Sequence, residues 1–219
     1  MKKAKVLLVA LCAVLLVAAS VAGTLAYLTS QETVVNTFTV GKVDIDLNET
    51  KVTPDGVPVP GADRVQENTY HLIPGMTYTK DPRITVRSDS EESYVRMLLT
   101  VDHLQELDAA FAPSGADLAS IFVRENDTGN WEYVATVRDE TANTVTYEFR
   151  YKQTVKPVEG EDLVLEPLFD SLVVPTFLSG EDMVAMNEMK ITVVGHAIQA
   201  AGFANTDAAW AAFDDQMNG

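Results

Sequence analysis

Residues 94–101, YVRMLLTV, are apolar at almost every central position, and residues 144–155, TVTYEFRYKQTV, alternate in strict two-residue steps. A run that is apolar on both faces reads as a central, well-buried strand. The second run places Val145, Tyr147, Phe149 and Tyr151 on one face and Thr146, Glu148, Arg150 and Lys152 on the other. That is the pattern of a strand with one dry and one wet face. A helix period fits neither segment, so the chain is expected to be mainly β.

Ile84 and Val86 predict another strand, separated from the central one by the acidic turn SDSEES at 88–93. Upstream, Phe38 and Val40, then Val43, Ile45 and Leu47, read as strand positions with Gly41 as a bend between them. The Pro- and Gly-dense segment TPDGVPVPGA at 53–62 is a loop, and 69–73 reads as a short strand ended by Pro74-Gly75. HLQELDAAF at 103–111 carries Leu104, Leu107 and Phe111 at helical spacing, with 113–115 as its stop. Residues 121–123 and 131–137 flank ENDTGN, which predicts a hairpin-like turn, and 157–162 is a further turn. Pro167 and Pro175 break 163–178 into short strand pieces and loops. A capping Ser179 opens a short helix over 179–186, and 189–198 returns to strand. Thr206-Asp207 caps an Ala-rich terminal helix with Trp210 and Phe213 facing inward. Short strands at close spacing with two or three minor helices imply an antiparallel β-sandwich.

The N-terminus has a different character. Lys2, Lys3 and Lys5 precede an unbroken apolar run from 6 to 19, and small residues follow. This is the order of a secretory signal peptide, here a signal helix over residues 1–26. Thr24 and Ala26 supply the small side chains a signal peptidase needs and make Tyr27 the new N-terminus; Ser20 and Ala22 offer a second cut. An uncleaved membrane anchor is the alternative, since the apolar run is close to the roughly 17–25 residues that span a bilayer. In the cleaved case the membrane is met only through the signal, and 27–219 forms one secreted domain.

The chain of 219 residues has 16 basic and 32 acidic side chains, a net charge of −16. Residues 1–26 hold three lysines and no acid, so 27–219 carries 13 basic against 32 acidic residues, or −19. Nucleic acid and anionic membranes both need a basic footprint, so neither is expected as a partner. Cys12 is the one cysteine and lies inside the signal, which leaves the secreted part with no disulfide, thiolate or cysteine metal site.

Little in the sequence asks for catalysis. His71, His103 and His196 are widely spaced and none belongs to an H-E-x-x-H motif. The acid pairs Glu91-Glu92, Glu161-Asp162, Glu181-Asp182 and Asp214-Asp215 fall in turns or helix ends, where solvation and capping account for them. Asp44, Asp46 and Asn48 have the alternate spacing of a calcium loop, but Glu49 follows where a turn-making glycine is needed, and a solvated strand face fits better. Calcium is the one cofactor this spacing suggests, and no catalytic, cofactor or metal residue is assigned.

One resemblance bears on function. Gly23, Thr24, Ala26, Asn36, Thr37, Phe38, Gly41, Val43, Asp44 and Ile45 resemble the start of the TasA/camelysin family of Gram-positive exported proteins. Leu72-Ile73-Pro74-Gly75 with the following TYTKDPRITVRSDSEESYVRM, and the closing MKITVVGHAIQAAGF, are similar to further family segments. The resemblance implies a jelly-roll-like β-sandwich, a SipW-type signal peptidase acting after Ala26, and secretion to the extracellular space or cell surface. It also implies a biofilm-matrix or surface-fibre subunit, with itself or related exported subunits as partners. In that setting Leu28, Val34, Val35, Phe38 and Val40 are apolar anchors of a donor strand at 27–40, which either pairs within its own sandwich or joins a neighbour's sheet. A camelysin-like metallopeptidase and a monomeric surface binding domain are the alternatives.

Overall fold

The computed structural model describes residues 12–14, 42–124 and 129–218, and the chain divides into two units, Met1–Gly41 and Lys42–Gly219. Of the first unit only one helical turn at 12–14 is described, with Cys12 exposed. The expected signal, its cleavage residues Thr24, Ala26 and Tyr27, and the donor positions Leu28, Val34, Val35, Phe38 and Val40 all lie outside the described residues.

The second unit is mainly β, with three antiparallel sheets. The largest runs β10 (Ile191–Gln199), β4 (Ser93–Asp102), β7 (Thr144–Tyr151), β6 (Trp131–Asp139) across its width. The apolar run YVRMLLTV lies in the interior strand β4, hydrogen-bonded on both sides. Val95, Met97, Leu99 and Val101 form its inner face and are essentially inaccessible to solvent. The register sets Leu99 between Val193 and Tyr147, and Met97 between Gly195 and Phe149, so three strands contribute one continuous apolar layer.

A second sheet, β1 (Ile45–Asn48), β3 (Arg83–Val86) and β8 (Leu163–Val164), packs over β10. Their close approach needs Gly195: a Cβ there would stand 2.9 Å from Ile84 Cδ1 and 3.6 Å from Ile45 Cδ1. The third sheet is short: β2 (Thr77–Thr79), β9 (Ser171–Val173) and β5 (Phe122–Val123). Helix α1 (Leu104–Phe111) closes one end of the core with Leu104, Leu107 and Phe111, the three residues its spacing nominated. Helix α2 (Gly180–Ala185) starts with a capping box in which Ser179 and Asp182 bond reciprocally. Helix α3 (Thr206–Asn218) lies on the outer face of the large sheet, with Trp210 buried as its pattern predicts.

Three local expectations are corrected. Residues 69–73 form no strand; the strand begins at Thr77, after the Pro74-Gly75 turn. The Tyr78 hydroxyl donates to the His71 carbonyl (2.7 Å) and accepts from the Ile73 N–H (2.8 Å), so one side chain replaces the ladder that a strand would have needed. The strands flanking ENDTGN do not form a hairpin, because β5 pairs with β9 and β6 with β7. The hairpin is instead β6–β7, where the Asp139 carboxylate accepts from the N–H groups of Thr141 and Ala142 (both 2.9 Å) and Asn143 takes a left-handed φ of 56°. Finally, α3 is capped by Asn205, whose Oδ1 accepts from the Ala208 N–H at 2.9 Å.

The segment that follows the Pro- and Gly-rich loop is pinned to the end of β1 by a polar network. Lys80 and Glu49 form a buried ion pair at 2.7 Å, and Asn68 Nδ2 donates to Glu49 Oε1 and the Thr50 carbonyl, both at 2.9 Å. Arg64 reaches Asn48 Oδ1 (2.6 Å) and Asp81 Oδ2 (2.9 Å). The β1 face expected to be solvated keeps Asp44 and Asp46 nearly half exposed and also carries polar contacts: Asn48 binds Arg64, Asp46 pairs with Arg87, and Arg87 also holds Asp162 at 2.7 Å.

Candidate functional site

Strand β6 is the feature of the fold that calls for a function. It lies at the edge of the large sheet, and among the described strands it pairs with β7 alone. Most of its length is exposed, including Tyr133 (56%) and Val137 (64%). A long edge with apolar side chains is a template for another strand, and proteins commonly blunt such edges. Here a bulge does so in part: Tyr133 opposes Phe149, while Ala135 opposes the next residue, Glu148, leaving Val134 as the extra residue. The ladder then runs without interruption over 135–139.

The bulge also changes which side chains face inward. Unbroken alternation would put Tyr133, Ala135 and Val137 on one face. Across the bulge Thr136 faces Tyr147 and Arg138 faces Val145, so Tyr133, Thr136 and Arg138 share the inner face. The Tyr133 and Thr136 hydroxyls are accordingly 2.8 Å apart.

These residues form one lip of an open cleft of about 930 Å3 between the large sheet on one side and, on the other, the segment running from α1 to β5 together with Leu168 and Phe169. Its floor is Leu99, Tyr147 and Phe149, and Phe111, Phe122 and Phe169 form the opposite wall. The rings are mutually braced, with Tyr133 edge-on to Phe149 at 5.9 Å and Phe122 against Phe169 at 4.8 Å. At the mouth Arg138 pairs with Asp108 and lies 3.6 Å from Glu140; the bond to Asp108 raises the guanidinium pKa further. Burial, then the nearby Asp117 carboxylate, pushes the Tyr147 phenol up to about 12. An aromatic floor with a few polar groups at the rim is the general make-up of a ligand cleft. It can take planar or apolar groups inside and hydrogen-bonding groups at the mouth.

A second constellation sits on the opposite face of the sheet. Arg96, only 3% exposed, projects outward from β4 beneath α3. Its Nε donates to His196 Nδ1 (3.2 Å), its Nη1 to Asp214 Oδ2 (3.2 Å), and its Nη2 to Asp214 Oδ1. Glu148 is 3.7 Å away and is also bound by Arg150 at 2.7 Å, and Arg150 reaches Asp207 on α3 at 2.6 Å. Bonding to Arg96 holds the Asp214 carboxyl below its ordinary range. Burial first, and the Arg96 charge second, push His196 down.

The structure separates the three histidines: His71 precedes β2, His103 bonds Asp102 at the start of α1 (2.7 Å), and His196 belongs to the Arg96 cluster. Of the acid pairs, Asp214 is an ion-pair partner of a buried arginine rather than a solvated helix end, and Asp162 is held by Arg87. Among the described residues no group of three or more His, Cys, Asp or Glu side chains could hold a metal ion. The cleft escaped sequence reasoning because its residues come from five separated segments; the only local signal was the apolar exposure latent in WEYVATV at 131–137. The chain matches no protein-family model, no curated protein and no solved structure.

Proposed function

We propose that this chain is an exported, non-enzymatic subunit of a surface fibre or biofilm matrix of a Gram-positive bacterium. Residues 1–26 would be removed by a SipW-type signal peptidase, and the freed segment 27–40 of one copy would add to the β6 edge of the next. The observation that carries this reading is the outer edge of β6, which no other described strand covers, with its exposed Tyr133 and Val137 and a continuous run over 135–139. A strand added there gains main-chain hydrogen bonds, and Leu28, Val34, Val35, Phe38 and Val40 provide apolar side chains for the surfaces beside it. A donor and an acceptor on different parts of one subunit make a head-to-tail contact, which propagates as a filament when it does not close. The resemblance to the TasA/camelysin group and its jelly-roll-like sandwich supports the same reading.

Negative-stain microscopy of protein beginning at Tyr27, compared with protein beginning at Gly41, tests it. Filaments are expected from the longer form alone, and Val137→Lys in the longer form should abolish them. Monomers from both forms would sink the proposal. The aromatic cleft favours one second reading, a monomeric domain that binds a glycan or protein ligand; in that case the longer form stays monomeric and Tyr133→Ala weakens ligand capture.

A further inference from the structure

We propose that His196 is an acid-sensitive catch for the C-terminal helix: the neutral ring holds α3 on the sheet, and protonation of the ring releases it. The geometry makes one cation the link between sheet and helix. Arg96 donates from Nε to His196 Nδ1 at 3.2 Å and from its two terminal nitrogens to Asp214. The face of the same guanidinium lies 4.4 Å from the Trp210 ring centre and 5.1 Å from that of Phe213. Phe213 in turn packs on the His196 ring at 4.7 Å. His196, Arg96, Asp214, Trp210 and Phe213 are therefore one contact, with two members on the sheet and three on α3.

The histidine can fill this place only when neutral. Nδ1 accepts the Arg96 N–H, so the single ring proton belongs on Nε2. A second proton on Nδ1 would turn that acceptor into a donor facing a donor. It would also set a new cation beside a buried one. The other charges around the ring are Glu148 and Arg150 from β7 and Asp207 and Asp214 from α3. Arg150 is held by Glu148 and Asp207, and Asp214 is committed to Arg96, so the carboxylates soften the repulsion but supply no new partner for the ring. The indole of Trp210 adds a bias toward opening. It is buried with no hydrogen-bond partner for Nε1, a cost that water removes when the helix leaves.

The sign follows from linkage. Docking depresses the His196 pKa below its ordinary 6.5, so the docked state binds fewer protons than the released one. The histidine contribution is full above about pH 6.5 and is lost as pH falls below it, by at most about tenfold in the docking equilibrium per pH unit for a single proton.

Hydrogen exchange read by mass spectrometry on the full chain from pH 7.5 to 5, corrected for intrinsic exchange, tests the catch. In the wild type, protection of the α3 amides is expected to fall by up to about tenfold per unit below pH 6.5, while β4 holds. His196→Asn retains an oxygen that can accept from Arg96 but does not titrate, and its α3 protection should stay flat over the same range. A flat wild-type profile, or the same slope in His196→Asn, overturns the proposal. If the Asn variant loosens α3 at every pH, the NMR titration of the His196 ring in the wild type decides. A midpoint below 6.5 that tracks the loss of α3 protection supports the catch, and a midpoint at or above 6.5 overturns it.

Discussion

The guanidinium carbon of Arg96 lies 4.4 Å from the centre of the Trp210 ring, so a cation on the central strand and an indole on the last helix form one buried unit. Arg96→Ala removes the ring contact and both bonds to Asp214. Because Asp214 is half exposed and can rehydrate, the loss should fall at or below the low end of the range for broken buried pairs, about 2–3 kcal/mol. Urea denaturation checks this, and hydrogen exchange should show α3 losing protection before the strands do. Arg96→Lys keeps the charge but not the planar fork or the stacking, and should recover less than half of the loss.

The Lys80–Glu49 pair is more fully buried, each side chain about 8% exposed. Lys80→Ala leaves a carboxylate in the core without its counter-ion, bonded by Asn68, and should cost about 3–5 kcal/mol. Replacing both, Lys80→Met with Glu49→Leu, removes the stranded charge and should return stability to within about 1 kcal/mol of the wild type. A double-mutant cycle by denaturant unfolding measures the difference. A double variant as unstable as Lys80→Ala alone would show that the pair is needed for shape rather than charge balance.

Acid should loosen the hold on Thr50 and Arg64 through Asp81. Burial pushes this carboxyl up, but hydrogen bonds from Arg64 and Thr50 together outweigh burial and leave it below its usual 3.8. A depressed carboxylate binds fewer protons folded than unfolded, so its contribution is present above about pH 3.8 and disappears as pH falls further. Asp81→Asn is expected to lose stability at pH 7 and to show a flatter profile below pH 4. Thermal unfolding followed against pH reads both effects.

Gly56 should tolerate no side chain. It takes a φ of +75°, and a Cβ there would meet the Tyr78 Cα at 2.8 Å and Cβ at 2.9 Å. The Tyr78 ring is nearer still, with Cδ1 at 2.6 Å, but the Cα is backbone and cannot swing aside. Gly56→Ala is expected to destabilise by about 2–4 kcal/mol, combining left-handed strain with overpacking. Gly195→Ala meets only the flexible end of Ile84 at close range and should cost less, about 1–3 kcal/mol. Paired denaturation curves rank the two, and the reverse order would contradict this packing.

Patterning by itself determined the β character, the central place of YVRMLLTV, the dry face of TVTYEFRY and the inward residues of α1 and α3. These are local consequences of period-two and period-3.6 burial, and each residue's neighbours in sequence suffice to state them. Strand pairing was another matter. Whether 122–123 joins 131–139 or a strand some fifty residues away depends on which sheets can close over the core, and ENDTGN carries turn chemistry in either case. The faces of β6 were also beyond reach, since one bulged residue reverses the alternation and brings Tyr133 together with Thr136 and Arg138. The same holds for Arg96. In sequence it interrupts an apolar strand, and its partners His196, Trp210 and Asp214 lie 100 or more residues away. Only the tertiary structure assembles them, because a buried charge is tolerable solely where the fold delivers its counter-ion and its aromatic cover together.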